Sequence, residues 1–270
     1  MKIVHEAAEL NAAPRPLAFV PTMGALHEGH LELVRQARKL GQTVVVSVFV
    51  NPTQFAPHED FSRYPRNLER DAELAAGAGA DYVYAPSVET MYPRDTMTQV
   101  VVPEVTDLYE GAARPGHFEG VATVVLKLFN QVRPTVALFG RKDLQQCAVI
   151  RRMVEDLNVP VELKFVPTFR EPDGLAMSSR NVYLSETERR SAPLLYATLQ
   201  SLASEMKKGE AAEPLLEEAR SKLAKAGFEL GYLDLISSHR FAPIADVAED
   251  AAIVLAARLG KTRLIDNIEL

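Results

Sequence analysis

Apolar and polar residues follow one another along the first part of the chain in blocks that predict strands and helices in turn. Residues 17–20 form a short apolar run, residues 30–40 repeat apolar side chains at helical spacing, and residues 43–50 are rich in β-branched side chains. An apolar strand without polar alternation is typical of a sheet covered on both faces. The order of strand, helix and strand therefore predicts a parallel sheet.

The same pattern continues to residue 166 and then changes. Helices are predicted over residues 68–76, 120–132 and 143–157, and strands over residues 82–84, 135–139 and 161–166. Beyond Pro167, two charged amphipathic helices, 185–208 and 213–226, precede strands at 232–236, 252–257 and 262–268. We therefore predict an α/β fold with a parallel-sheet domain over residues 1–168 and a smaller C-terminal α/β domain over residues 169–270.

Composition excludes several classes of protein. With 270 residues, of which 47% are hydrophobic and 24% charged, the chain is typical of a globular protein with a large core. The net charge of -6 is spread evenly, which argues against a nucleic-acid partner. Cys147 is alone, the N-terminus lacks a secretory signal, and no apolar stretch reaches the ~20 residues of a membrane span. A cytoplasmic location is therefore expected.

The strongest candidate for chemistry is the segment PTMGALHEGH at residues 21–30, between the first strand and its helix. Ligands of open α/β sheets bind at such positions, and the N–H groups of a helix start attract anions. Gly29 lets a ligand approach closely, and His27 and His30 lie three residues apart on one helical face. These donors suit a phosphate group.

Two other interpretations of this segment fail. Gly24 and Gly29 have the glycine spacing of a P-loop, but His30 and Leu31 stand where that motif requires Lys and Ser or Thr. A zinc-protease motif needs histidines four residues apart, and the spacing here is one residue short.

Further polar motifs follow later strands in the predicted fold. FVNPTQF carries Gln54, and GRKDLQQ carries Lys142, Asp143 and Gln146. ARPGHFEGVATVV opens a helix with an apolar wall, and MSSRN places two hydroxyls beside Arg180. A turn, an ordinary core or a surface ion pair explains each motif when it is taken alone.

Taken together, in their order along the chain, these motifs indicate a single kind of protein. H-x-G-H after an opening strand resembles the signature of the nucleotidyltransferase superfamily, whose members cleave ATP between the α and β phosphates. The wider block and the later motifs resemble the pantothenate synthetase family over about the first 185 residues. Leu144 and Phe169 depart from that family, which commonly has an aromatic and a smaller aliphatic residue there.

The resemblance implies a Rossmann-like first domain, a C-terminal lid domain and an ATP-dependent ligase that joins pantoate to β-alanine through a pantoyl adenylate, with release of pyrophosphate and AMP. His27, His30, Lys142 and Arg180 are the implied catalytic residues. The implied ATP site comprises Met23, Gly24, Ala25, Leu26, His27, Glu28, Gly29, His30, Gly140, Arg141, Lys142, Asp143, Phe169, Met177, Ser178, Ser179 and Arg180. Pantoate and β-alanine, the small-molecule partners, are assigned to Gln54, Gln146, Val121, Val124 and Val125.

Three further expectations rest on the same resemblance. Mg2+ accompanies ATP and bridges its phosphates, with Asp71 as the candidate protein ligand. Tyr64, Arg114 and His117 shape the substrate region or receive β-alanine. The chain is expected to form a homodimer.

Alternative functions also fit part of the pattern. A cytidylyl- or adenylyltransferase uses the same histidine loop but does not need both Gln54 and Gln146. A synthetase that charges transfer RNA is disfavoured by the even charge, and a non-catalytic nucleotide sensor does not require all four of His27, His30, Lys142 and Arg180.

Overall fold

A central parallel sheet organises the first part of the chain, as the apolar blocks predict. The computed structural model describes residues 1–55 and 61–270. The strands of this sheet are β1 (Lys2–Val4), β2 (Leu17–Thr22), β3 (Thr43–Val48), β4 (Tyr82–Tyr84), β5 (Val136–Gly140) and β6 (Glu162–Val166). They lie in the order β1-β4-β3-β2-β5-β6, and every neighbouring pair is parallel.

The helices that connect these strands are α1 (Glu28–Leu40), α2 (Leu68–Ala78), α3 (Val88–Met91), α4 (Glu110–Ala113), α5 (His117–Val132) and α6 (Leu144–Asp156). Strand β2 shows how both faces of the sheet are covered. Ala18 and Val20 pack in one cluster with Val34 of α1, whereas Phe19 meets Phe129 of α5 edge-on, with ring centroids 6.5 Å apart. The parallel α/β prediction is therefore confirmed.

The chain forms two compact units, residues 1–141 with 149–167 and residues 142–148 with 168–270. The boundary expected after Thr168 assigns residues 142–148 to the first domain, whereas this division groups them with the second unit. The second unit contains α7 (Glu186–Ser191), α8 (Leu194–Lys207), α9 (Ala212–Lys225), β7 (Glu229–Ser237), β8 (Ala242–Pro243), β9 (Ala251–Leu259) and β10 (Thr262–Glu269).

The sheet of the second unit is antiparallel, in the order β10-β9-β7-β8. Leu195 and Leu199 of α8 pack in one core with Ile253 and Leu255 of β9. The single helix predicted over residues 185–208 is wrong, because α7 ends before Pro193 and α8 begins after it. Proline has no backbone N–H to continue a helix.

In the described part of the chain, none of the helices combines the length and the apolar character that crossing a bilayer requires.

The position of β2 determines where ligands are expected. In the sheet, β3 lies next to β2 on one side, and β5, which comes later in the chain, lies next to β2 on the other side. Strand order therefore reverses at β2, and such a switch point opens a crevice at the carboxyl ends of the strands. The segment at residues 21–30 follows β2 at this point.

Candidate active site

The loop between β2 and α1 has an unusual backbone path. Gly24 and Ala25 have φ angles of 83° and 52°, in the left-handed region. A Cβ atom on Gly24 would lie 2.8 Å from Asp71 Oδ2 and 2.9 Å from Val48 Cγ1. Glycine is therefore required at position 24 both by conformation and by space.

Asp71 of α2 stabilises this loop through its buried side chain. Its side-chain oxygens accept hydrogen bonds from two consecutive backbone groups, Ala25 N–H at 2.9 Å and Leu26 N–H at 2.8 Å. Asp71 is only 2% exposed. A buried carboxylate that accepts such bonds orders the backbone on which the histidines follow.

His27 and His30 lie together at the start of α1. His27 is the N-cap residue, His30 N–H donates to His27 O at 2.8 Å, and His27 N–H donates to His30 Nδ1 at 3.4 Å. The two ring centroids are 4.1 Å apart. Because Nδ1 of His30 is the acceptor, Nε2 carries the proton of the neutral ring. The spacing in the sequence thus produces the expected pair of imidazoles at a helix N-terminus.

Gln54 connects the FVNPTQF motif, residues 49–55, to the loop between β2 and α1. Asn51 caps the short helical turn Pro52–Gln54, and Asn51 Nδ2 donates to Gln54 Oε1 at 3.0 Å. Gln54 Nε2 in turn lies 3.1 Å from Met23 Sδ in the histidine loop. The structure therefore brings together two motifs that are about thirty residues apart in the sequence.

Arg114 and His117 hold the backbone of the same turn. His117 Nδ1 lies 2.9 Å from Gln54 O, and His117 Nε2 lies 2.9 Å from Arg114 Nη1. Because the guanidinium only donates, Nε2 accepts and Nδ1–H donates to the carbonyl oxygen. These two residues therefore hold the backbone of the Gln54 turn, and their expected role toward the substrates stays a prediction.

The apolar wall predicted on α5 is present. Val121, Val124 and Val125 are 2%, 5% and 5% exposed. Preceding them, Gly120 approaches the turn so closely that a Cβ atom there would lie 2.5 Å from Thr53 O. The absence of a side chain at Gly120 therefore sets the distance between α5 and the Gln54 turn.

The second unit carries the other predicted cations. Lys142 Nζ lies 3.7 Å from Asp143 Oδ1, and Lys142 O accepts from Asn267 Nδ2 at 2.9 Å. Gln146 is half-buried, in the first turns of α6. The contact with Asn267 attaches the Lys142 backbone to strand β10.

The predicted phosphate-binding loop begins a short helical turn, Ser179–Tyr183. Ser178 Oγ accepts from Arg180 N–H at 3.2 Å, and Arg180 is exposed. Asn181 Nδ2 donates to Glu171 Oε1 at 2.7 Å, and Met177 N–H donates to Phe169 O at 3.0 Å. These bonds attach the loop to the preceding turn-rich segment.

Sequence reasoning missed Tyr92, which contacts the Gln54 motif. Tyr92 Oη donates to Asn51 Oδ1 at 2.8 Å. A single tyrosine 38 positions after Gln54 carries no local signal, so only the tertiary structure reveals this contact. Across residues 1–55 and 61–270, no three His, Cys, Asp or Glu side chains are grouped so as to hold a metal ion.

A parallel α/β sheet with an H-x-G-H loop at its switch point defines the class of nucleotidyltransferase-like enzymes. The sequence model of the Pantoate-beta-alanine ligase family matches residues 1–269, so the chain belongs to that family. The pantothenate synthetase of Acidiphilium cryptum is 50% identical, and the alignment covers 99% of each chain. The prediction of an enzyme of this family is confirmed.

Solved structures of two members of the family are similar to this chain over its whole length. The pantothenate synthetase of Thermus thermophilus superposes with a TM-score of 0.95 at 49% identity, covering 100% of this chain and 99% of the other. The pantoate-beta-alanine ligase of Francisella tularensis, solved with beta-gamma ATP and beta-alanine, gives a TM-score of 0.83 at 34% identity, covering 100% and 97%.

Proposed function

We propose that this ligase works in two steps through a pantoyl adenylate. A carboxylate oxygen of pantoate attacks the α phosphorus of ATP, the bond to the bridging oxygen of the β phosphate breaks, and pyrophosphate leaves. The neutral amine of β-alanine then attacks the activated carbonyl carbon, the bond from that carbon to the phosphate oxygen breaks, and AMP leaves. The nitrogen loses a proton to solvent as the amide of pantothenate forms. ATP is thus a substrate in this proposal, which the complex of the Francisella tularensis ligase with beta-gamma ATP supports.

The contact between Gln54 and Met23 carries this proposal. Gln54 is the expected pantoate ligand, and its Nε2 lies 3.1 Å from the sulfur of Met23, four residues before His27. A carboxylate bound by Gln54 therefore lies next to the loop that is expected to hold the α phosphate. Such proximity is what an in-line attack requires.

Two anions must approach each other in the first step, so the site has to offset negative charge. We assign His27 and His30 to the α phosphate, with His30 as a proton donor, and Lys142 and Arg180 to the β and γ phosphates. One preorganised donor of this kind lowers a barrier by about 3 kcal/mol. Ser178 and Ser179 add neutral hydrogen bonds.

The remaining predicted residues bind pantoate and the rest of the nucleotide. Gln146 joins Gln54 in binding the hydroxyls and carboxylate of pantoate, and the α5 wall of Val121, Val124 and Val125 packs against its geminal methyl groups. The proposed nucleotide contacts are the other ATP-site residues, Met23, Gly24, Ala25, Leu26, Glu28, Gly29, Gly140, Arg141, Asp143, Phe169 and Met177.

Mg2+ in this proposal accompanies ATP and would be held mainly by its phosphates, with few protein ligands. The Asp71 oxygens already accept two N–H groups. Each oxygen has a further lone pair, so Asp71 stays the candidate protein ligand. A homodimer in the cytoplasm completes the proposal, and light scattering of the purified protein tests the dimer.

Pantoate-dependent exchange of labelled pyrophosphate into ATP tests the first step without β-alanine. We expect exchange with pantoate, and none when another small carboxylic acid replaces it. Absence of exchange with pantoate in folded wild-type protein would overturn the adenylate mechanism.

A further inference from the structure

Asn51 has only one amide orientation that its surroundings accept. Its Oδ1 accepts from one backbone group, Thr53 N–H at 3.3 Å, and from two hydroxyls, Thr53 Oγ1 at 3.0 Å and Tyr92 Oη at 2.8 Å. Its Nδ2 faces two acceptors, Gln54 Oε1 at 3.0 Å and Gly120 O at 3.1 Å. Reversing the amide would place Nδ2 against Thr53 N–H, which can only donate, and Oδ1 against Gly120 O, which can only accept. Asn51 is 1% exposed, so water does not compensate.

The orientation of Asn51 fixes that of Gln54. Since Asn51 Nδ2 is a donor, the atom of Gln54 that faces it must be the carbonyl oxygen. The nitrogen of Gln54 then points to the Met23 side, where it meets the thioether sulfur at 3.1 Å. A thioether is a weak acceptor, so an oxygen atom of a substrate is a better partner for this N–H group.

Tyr92 supplies the shortest of the three hydrogen bonds that hold Asn51 Oδ1 in place. Its ring is held by Phe49, with centroids 6.3 Å apart, and by Lys127, whose Nζ lies 5.6 Å from the ring centroid. Burial raises the pKa of Tyr92 above its ordinary value, so the phenol stays protonated. Thr53, the source of the other two bonds, is exposed, whereas Tyr92 is half-buried.

We propose that Tyr92 is a positioning residue for pantoate: through Asn51 it fixes the Gln54 carboxamide so that N–H donors, rather than the carbonyl oxygen, face the oxygen atoms of the substrate. The inference rests on the proposed function, because Gln54 is the pantoate ligand assigned there. Tyr92 itself does not need to touch the substrate. Its removal therefore alters pantoate binding more than the chemical step.

A double-mutant cycle with Tyr92→Phe and Gln54→Ala tests this relation. Loss of one such hydrogen bond corresponds to about a fivefold effect, so Tyr92→Phe is expected to raise KM for pantoate about fivefold. We expect kcat and KM for ATP to stay within about twofold, because the affected bond acts on pantoate binding. In the Gln54→Ala background, Tyr92→Phe is expected to add less than about twofold, because its effect passes through Gln54.

Tyr84→Phe is the matched control. Tyr84 lies in the first unit, where it is fully buried, and its hydroxyl donates to Gln131 Oε1 at 2.9 Å, away from the Asn51 network. We expect this variant to lose stability as Tyr92→Phe does, as measured by thermal melting, while its KM for pantoate stays unchanged. A kinetic effect shared by both variants would indicate a merely structural role for Tyr92.

Asn51→Asp provides a second, independent variant. It replaces the donor opposite Gln54 Oε1 by an acceptor, and we expect a larger rise in KM for pantoate than with Tyr92→Phe. Wild-type KM in either variant, or additive effects in the cycle, would overturn the inference while leaving the proposed function intact. Wild-type protein without pantoate-dependent exchange would overturn both.

Discussion

His30 combines two properties that a simple truncation would remove together. Its Nδ1 accepts the N–H of His27 at the start of α1, and in the proposed reaction its imidazole stabilises the α phosphate. The first property concerns the stability of the helix, and the second concerns catalysis. A variant that keeps the acceptor separates them.

His30→Asn places an amide oxygen near the position of Nδ1 and removes the rest of the ring. We expect pyrophosphate exchange to fall by about 10²-fold or more, the scale of a lost acid–base group. The melting temperature of His30→Asn is expected to stay above that of His30→Ala, which also loses the acceptor for His27 N–H. Exchange close to the wild-type rate in His30→Asn would remove the assigned catalytic role.

The predictability of the site differs from residue to residue, for a physical reason. His27 and His30 could be found because helical periodicity places them on one face, and Gln54 because it follows a strand. Tyr92 and Asn51 act through hydrogen bonds to each other across 41 positions. Neither periodicity nor a local motif indicates such a contact, so only the three-dimensional structure reveals it.

At the scale of elements, the path of the β2–α1 loop depends on a carboxylate from α2. Asp71→Asn puts an N–H2 group against one of two backbone N–H donors. We expect a loss of about 1–3 kcal/mol in the free energy of unfolding, the cost of a buried donor left without an acceptor. Pyrophosphate exchange is expected to fall as well, because the loop carries both histidines.

Asp81→Asn is the control for this prediction. Asp81 also accepts a backbone N–H, that of Val44 at 2.8 Å, but at the amino end of β3. We expect it to lower stability without lowering exchange per folded molecule, as determined by urea denaturation beside the exchange assay. Equal losses of exchange in both variants would contradict the specific role of Asp71 in the loop.

The helix and strand boundaries show which elements can be predicted from sequence patterns and which cannot. β4 is found at its predicted residues, Tyr82–Tyr84, because apolar residues stand between turn residues. β1 was missed, because three residues at an edge, paired only with β4, leave no periodicity to detect. The break between α7 and α8 had a signal in Pro193, but the amphipathic pattern continues across it.

At the scale of the whole molecule, the second unit has its own core and its own buried ion pair. Arg170 binds Asp266 through two hydrogen bonds, at 2.7 and 2.9 Å, and the side chains are 16% and 3% exposed. Asp266→Asn leaves the guanidinium without its counter-charge. We expect a loss of about 3–5 kcal/mol in the free energy of unfolding, measured by urea denaturation.

Asp234→Asn is the comparison for that measurement. Asp234 pairs with Arg220 at 3.0 Å, but its side chain is 35% exposed. A solvent-exposed pair contributes at most about 1 kcal/mol, so the loss is expected to be small. Equal losses in the two variants would show that burial does not determine the strength of these pairs.

Sheet topology was only partly predictable. Alternating strands and helices implied a parallel sheet, but the order β1-β4-β3-β2-β5-β6 depends on which side of β2 each crossover takes. In the second unit, the three long strands β7, β9 and β10 follow one another along the chain, with the short β8 between the first two, and their antiparallel pairing appears only in the structure.

The pairing of β2 with β5 has a consequence during synthesis. Ala18 pairs with Val136, and the neighbouring bond from Leu17 N–H to Thr135 Oγ1 spans 118 positions. At about 5–20 residues per second, a ribosome needs roughly 6–24 s to add that stretch. Throughout that interval the nascent chain has an apolar strand with one open edge, which is a hazard for aggregation. The centre of the finished sheet is therefore an exposed edge of the newborn protein until β5 has been made.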